Sequence, residues 1–252
     1  MVATADEQTY SYARPSELIF ADGRADLTLA TSGGLTTRGP APHPVFFDGF
    51  LGHPDQAAAA LLTVAKVART RFYTPPGMLA AILRAADPVV TSNVDRLRFE
   101  SFSACCGVYA RYDALPGSLA GTLIASGTTN VDVNPPLRDA LARVGGLDPL
   151  HLQVGQDVVV STLDAQVTEK KVPLPERWLK GFAEVQLASA TVRPVLEVSA
   201  AEARRFVRGL PRSASRKPVW VVPAGRGLRL TTRPSPDGVS LSGLDRLKPL
   251  EP

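Results

Sequence analysis

Apolar residues recur along this chain at two spacings that trade places without a regular rhythm. Alternation at every second residue argues for strands, and recurrence every three to four residues argues for helices. A doubly wound parallel fold would alternate the two strictly. Here short strand-like runs cluster, break for a helix and resume. The pattern predicts an α+β fold: mixed, largely antiparallel sheets with four to five helices. At 252 residues the chain can bury roughly 70–75% of its unfolded surface, so a core needs neither disulfides nor a metal. Residues 1–10 are polar and read as a flexible tail. Residues 11–252 read as one domain, with a weak internal boundary near 211–218.

The elements follow from local signals. Asp22-Gly23 marks a turn between Leu18-Ile19-Phe20 and Leu27-Thr28-Leu29. Residues 31–44, rich in Gly, Thr and Pro, read as a loop. Ala57, Leu61, Val64, Ala65 and Ala68 share one face of a helix opened by His53-Pro54-Asp55, where Asp55 suits the helix N-terminus. A second short helix is expected over 78–86. Strands are expected at Val89-Val90, at Leu97 to Phe102, at Val108 to Tyr112 and from Leu123-Ile124, with Ser103 to Gly107 joining two of them. Asn134 caps a helix carrying Leu137, Leu141 and Val144. Leu150 to Leu152, Val158 to Val160 and Val167 to Val172 read as strands, and a helix runs from Pro175 to about Ala188. Val195 to Val198 reads as a strand. Ser199 and Glu202 form a capping-box pattern before the apolar face Ala203, Phe206, Val207 and Leu210. A hairpin joins Val219 to Val222 and Leu228 to Thr231 through 223–227.

Several functions are excluded at this level. No run of 18 apolar residues occurs, so no membrane partner is expected. The N-terminus is acidic, without the apolar stretch of a secretion signal, and predicts a cytoplasmic location. The two cysteines, Cys105 and Cys106, are adjacent, and there are three histidines. Neither a disulfide framework nor a four-cysteine zinc site can be built from them. No metal and no cofactor is expected. GxSxG, HExxH and GxxxxGK[ST] patterns do not occur, and Gly225-Arg226-Gly227 is too short for a phosphate loop.

Two constellations stand out. Asn130, Asp132 and Asn134 alternate, so in an extended chain they share a face that could take a hard cation or a polar ligand. The plainer reading is a strand end whose last Asn caps the next helix. The second constellation is charge. Residues 170–252 hold 16 Lys and Arg against 7 Asp and Glu, while residues 1–169 hold 12 against 17. Within the basic third, Arg204, Arg205, Arg208, Arg212, Arg216 and Lys217 place six cations in fourteen residues. Such a run can grip phosphates, although no aromatic is interleaved for base stacking. A solvated helix face is the alternative. Cys105 and Cys106, if extended, point to opposite faces and cannot share one metal.

Five blocks carry a family resemblance: Phe46 to Leu51, Arg98 to Arg111, Gly127 to Arg138, Glu169 to Gln186 and Trp220 to Leu228. Together they resemble the N-terminal region of SWIM zinc finger family proteins of actinobacterial type, over nearly the whole chain from about Tyr10. The family's finger has a CxC…CxH pattern, which this sequence lacks, so zinc binding does not carry over. The resemblance implies a truncated or N-terminal-only form: an intracellular, non-catalytic module that binds a protein or nucleic acid. The partners it implies are MoxR-type ATPases or von Willebrand A-domain proteins. Protein binding is therefore the leading expectation, with a nucleic-acid-binding module second and an enzyme around Asn130, Asp132 and Asn134 third.

Overall fold

In the computed structural model the described residues are 12–70, 87–146, 148–155, 176–211 and 218–250, with 176–179 and 248 described by backbone alone. The fold is α+β, with three mostly antiparallel sheets and, among the described residues, four α-helices. The chain forms two compact units, Met1–Leu179 and Lys180–Pro252. The sequence suggested one domain with a boundary near 211–218. The division instead falls about thirty residues earlier, because Leu210 and Val219, on either side of that stretch, share one core.

The first unit is built on two sheets. Strands β1 (Glu17–Ala21) and β2 (Arg24–Leu29) form the expected hairpin. Its two-residue turn puts Asp22 at φ 50° and Gly23 at φ 74°, the left-handed pair that matches strand twist. Residues 31–44 are not one loop. They hold a bridge at Thr31 and a small hairpin of β3 (Gly34–Thr36) and β4 (Gly39–Ala41). Helical and strand periodicity cannot register in three-residue strands, which explains why the sequence conceals them.

Strand β5 (Phe47–Leu51) leads into helix α1 (Pro54–Arg69), followed by β6 (Val89–Asn93), β7 (Arg96–Phe102) and β8 (Tyr109–Ala114). The helix expected at 78–86 lies outside the described residues. Strand β9 (Leu119–Leu123) ends where a strand was expected to begin, and β10 (Gly127–Asn130) precedes helix α2 (Pro135–Leu141) and β11 (Leu150–Val154). The strands expected at 158–160 and 167–172 also lie outside the described residues.

The five-stranded sheet runs β1-β2-β11-β5-β9 and the six-stranded sheet β4-β3-β10-β6-β7-β8. Among the described residues only β2 and β11 pair in parallel. Alternation sets each face. Leu27, Leu29, Leu150, Leu152, Val154 and Phe47 point from the first sheet into a core shared with Val90, Leu97 and Phe99 of the second. Helix α1 adds Ala57, Ala58, Leu61, Val64 and Ala65, and α2 adds Leu137 and Leu141. The buried Ser101 hydroxyl donates to the Val64 carbonyl at 2.7 Å, tying α1 to β7. Strands β5 and β9 approach so closely at Gly49 and Gly121 that a Cβ on Gly49 would lie 2.4 Å from the Gly121 Cα.

The second unit is smaller. Helix α3 spans Glu176–Thr191 and straddles the division between the units, and helix α4 spans Ala200–Arg208. The strand expected at 195–198 does not form. Residues 192–199 carry no regular structure and lie mostly exposed, and among the described residues no strand pairs with their backbone groups. Strands β12 (Val219–Ala224), β13 (Gly227–Thr231) and β14 (Val239–Leu241) make a three-stranded sheet in the order β13-β12-β14. The hairpin is tighter than expected: Ala224 pairs with Gly227, so only Gly225 and Arg226 form the turn. Leu210, Val219 and Leu244 are the buried centre of this unit, flanked by Phe206, Val207 and Leu230.

Candidate functional site

Asp132 and Asn134 line a cleft of about 360 Å³ together with Tyr12, Arg14, Ser16 and Glu17. The chain leaves β10 through Val131, which bridges Thr31. Asp132 is 8% exposed, and its Oδ2 accepts the Ser16 amide at 3.1 Å and the Asn134 amide group at 2.9 Å. Asn134 Oδ1 accepts the Leu137 amide at 2.9 Å, the expected cap of α2, while its nitrogen also donates to the Ser16 carbonyl at 2.9 Å. The Ser16 hydroxyl is held by the Ala30 amide at 2.7 Å. Behind this network the buried Tyr12 hydroxyl donates to Asp87 at 2.9 Å. Arg138 donates to the Val133 carbonyl at 2.9 Å. Burial, and then the charge of Arg69, hold its guanidinium below the ordinary arginine value.

These bonds decide what the alternating trio does. Asp132 and Asn134 come together, and both lock the segment at Ser16 against the start of α2. Asn130 does not join them at the cleft. It sits in β10 opposite Val89, where its carbonyl accepts the Ser32 amide at 3.1 Å. Capping and the bonds to Ser16 and Asp132 together account for Asn134, and the Asp132 carboxylate finds two N–H donors within the fold.

A second polar cluster escaped the sequence reading. On the outward face of the five-stranded sheet His151 sits between two carboxylates, with Nε2 3.0 Å from Asp48 Oδ1 and Nδ1 3.4 Å from Asp26 Oδ1. Gln153 donates to Asp48 at 3.1 Å, Arg24 pairs with Asp26 at 2.9 Å, and the Phe50 ring meets the imidazole edge-on at 5.0 Å. The register makes this possible: His151 stands opposite Asp26 in β2 and opposite Phe50 in β5. The only local signal was alternation, which told that His151 faced away from Leu150 and Leu152 but not what it faced. Among the described residues, no group of three or more His, Cys, Asp and Glu is arranged to hold a metal ion.

The outward face of the six-stranded sheet is ion-paired. Arg98 grips Asp113 through two nitrogens, at 2.7 and 3.1 Å, and Arg111 and Arg96 approach the same carboxylate at 3.4 and 3.5 Å. Burial raises the Asp113 carboxyl, but the Arg98 hydrogen bonds and the charges of Arg98, Arg111 and Arg96 outweigh it and hold it below the ordinary value. Beside it the Tyr109 hydroxyl donates to Glu100. Burial first, and then that bond, push the phenol well above its usual range.

In the second unit α4 follows its expected pattern. Ser199 Oγ accepts the Glu202 amide at 3.3 Å. The Glu202 carboxylate does not close the capping box on Ser199; it takes Arg205 at 2.7 Å. Phe206, Val207 and Leu210 face the core, while Arg204, Arg205 and Arg208 are exposed. Arg212, Arg216 and Lys217 lie outside the described residues. Lys180–Pro252 carries 13 Lys and Arg against 6 Asp and Glu. Upstream of α4, Leu187, Val192 and Val195 are exposed by 74%, 73% and 69%. Among the described residues no helix is long and apolar enough to cross a membrane. Set against protein-family models, curated proteins and solved structures, the chain matches none.

Proposed function

We propose that this protein is a non-catalytic cytoplasmic interaction module, of the kind found at the N-terminus of SWIM zinc finger family proteins, and that its second unit docks a protein partner. The observation that carries this reading is the exposure of Leu187, Val192 and Val195 along one short stretch of chain. Scattered single exposed hydrophobics are ordinary, but several large ones close in sequence mark an interaction surface. The arginines of α4 follow directly, and a unit with a surplus of seven cations attracts an acidic partner and speeds the encounter. The non-catalytic part rests on the cleft at Asp132 and Asn134, where the polar atoms hold the fold together. The resemblance names the partner classes: a MoxR-type ATPase or a von Willebrand A-domain protein.

The test compares the full-length chain with a Leu187→Asp/Val195→Asp variant of equal thermal midpoint. Wild-type protein recovers one of the two named partner classes from host extract, and the variant recovers about tenfold less, the loss expected for a central apolar contact. Equal recovery by the variant, or recovery of neither class by the wild type, refutes the reading.

A second reading is a nucleic-acid module, favoured by Arg204 and Arg208, which are exposed on the same helix one turn apart. Phosphate binding would show a linear fall of log affinity with log salt, and Arg204→Glu/Arg208→Glu would flatten that slope by about 2. A complete lack of binding at low salt removes this alternative.

A further inference from the structure

We propose that the open edge of β1 pairs with β1 of a second copy of this chain, antiparallel and centred on Ile19, so that two five-stranded sheets join into one. Strand β1 ends its sheet, and among the described residues it pairs with β2 alone. Proteins guard such edges with charges, prolines or very short strands. Among the other described edges, β4 and β14 are three residues long, and β8 and β13 carry Arg111, Asp113 and Arg229. Strand β9 presents the small residues Ala120, Gly121 and Thr122. Strand β1 has no guard over Leu18 to Ala21. Of the described edge strands it is the one with large exposed hydrophobics, Ile19 at 50% and Phe20 at 45%.

The hairpin sets which backbone groups the edge offers. A two-residue turn closes on a pair that exchanges both main-chain bonds, here Ala21 and Arg24. By alternation Ile19 and Glu17 also turn their amides and carbonyls toward β2, to Asp26 and Thr28. Leu18 and Phe20 turn theirs to the open side. Ser16 keeps the same phase: its amide donates to Asp132 and its carbonyl accepts from Asn134, both outside β2. The edge therefore offers the amides and carbonyls of Leu18 and Phe20, and it ends at Ser16, whose groups are taken.

That pattern is self-complementary, which selects a second copy as the partner. About a two-fold axis at Ile19, Leu18 of one copy stands opposite Phe20 of the other, and each such pair exchanges both bonds. Leu18 packs toward the core, and Phe20 of the second copy covers it on that face of the joined sheet. The two Ile19 side chains meet on the opposite face. Glu17 stands opposite Ala21 of the second copy, so no like charges are set face to face at the joint. Arg24 lies beyond that Ala21. Its Nε donates to Asp26 at 2.9 Å and its side chain is half exposed, so across the small alanine its guanidinium faces the Glu17 carboxylate of the second copy. A slip of one residue sets Leu18 opposite Ile19, whose backbone groups β2 already holds.

Light scattering on the full-length protein over a concentration series is the test. A contact this short belongs to the weak, reversible class, so the mass should climb from one chain toward two as concentration rises. Ile19→Lys sets two ammonium groups face to face across the axis and should weaken the association about tenfold. Phe20→Pro removes an amide that points away from β2, a change edge strands tolerate. It deletes two of the four shared bonds and should weaken the association as much. Cross-linking reads the register. Opposed residues in a pair without mutual bonds have Cα atoms about 4.5 Å apart, within disulfide reach. Mild oxidation of Ile19→Cys should therefore give a linked dimer, mapped by peptide mass to residue 19, and Ala21→Cys should not. A chain that keeps the mass of one copy at every concentration overturns the proposal. So does a dimer that both Ile19→Lys and Phe20→Pro leave intact, or one that links as readily through Ala21→Cys.

Discussion

Asp113 is the most heavily charged position on either sheet, with three guanidinium groups around a carboxylate that is 16% exposed. Its carboxyl is held below the ordinary value, which for aspartate is about 3.9. A depressed folded value means that the native state binds the proton more weakly than the unfolded chain does. The stabilisation is complete above the ordinary value and is lost as pH falls through the folded one. Asp113→Asn should therefore cost about 1–2 kcal/mol near neutral pH, discounted for partial solvent screening. The gap between variant and wild type should narrow as pH falls below the ordinary aspartate value and through the folded one. Urea unfolding from pH 7 to pH 2 checks this, and a gap independent of pH would assign the cost to packing instead. Such a site is only half legible in sequence. Alternation along β7 announces Arg96, Arg98 and Glu100 as one face, but that Asp113 stands opposite Arg98 depends on the register of the β7–β8 pair. The sequence places the loop that joins the two strands at Ser103 to Gly107, but the bonds inside it that fix the register, such as the Ser103 amide to the Val108 carbonyl, follow from no periodicity.

Elements that start or stop on a local signal were readable, and those defined by a distant neighbour were not. Asn134 and Ser199 cap α2 and α4 through bonds spanning three residues, so the sequence contains the whole interaction. The same holds for the Asp22-Gly23 turn. The stretch Val195 to Val198 has strand-like residues but pairs with no strand among the described residues, since β propensity expresses packing on neighbours more than backbone preference. Asn134 also shows what a local reading omits. It caps a helix, as expected, and it also fastens the Ser16 segment 118 residues away. Asn134→Ala should thus exceed the ordinary cap cost of about 1 kcal/mol, because the Ser16 carbonyl and Asp132 each lose a donor as well. Hydrogen exchange separates the two roles. Faster exchange at the Leu137 amide reports the cap alone. Faster exchange at the Ser16 and Ala30 amides together with Leu137 reports the strap, and protection unchanged at Ser16 would show that the strap does not depend on Asn134.

At the scale of the whole molecule the two units differ in what holds them. The first buries a large core between two sheets and α1, with Phe46, Phe47, Phe99, Leu150 and Leu152 all nearly inaccessible. The second has a small core centred on Leu210, Val219 and Leu244, each buried but not sealed from solvent, with Val221 and Val222 buried in its sheet. A core in a unit this small rarely supplies more than about 3–5 kcal/mol. Truncating a buried leucine costs about 2–5 kcal/mol through lost transfer energy and the cavity left behind. The two figures are comparable, so Leu210→Ala should unfold Lys180–Pro252 while Met1–Leu179 stays folded. Calorimetry of the wild type should then show a lower and an upper transition. Leu210→Ala should abolish the lower one and leave the upper one in place, and Leu152→Ala should shift the upper one alone. Docking through the second unit requires that unit to be folded, so partner recovery should vanish with the lower transition and survive Leu152→Ala at temperatures where the first unit still holds. A single transition moved by both substitutions would mean that the units fold as one. The basic unit would then owe its order to the first, and the interaction surface could not be separated from the larger core.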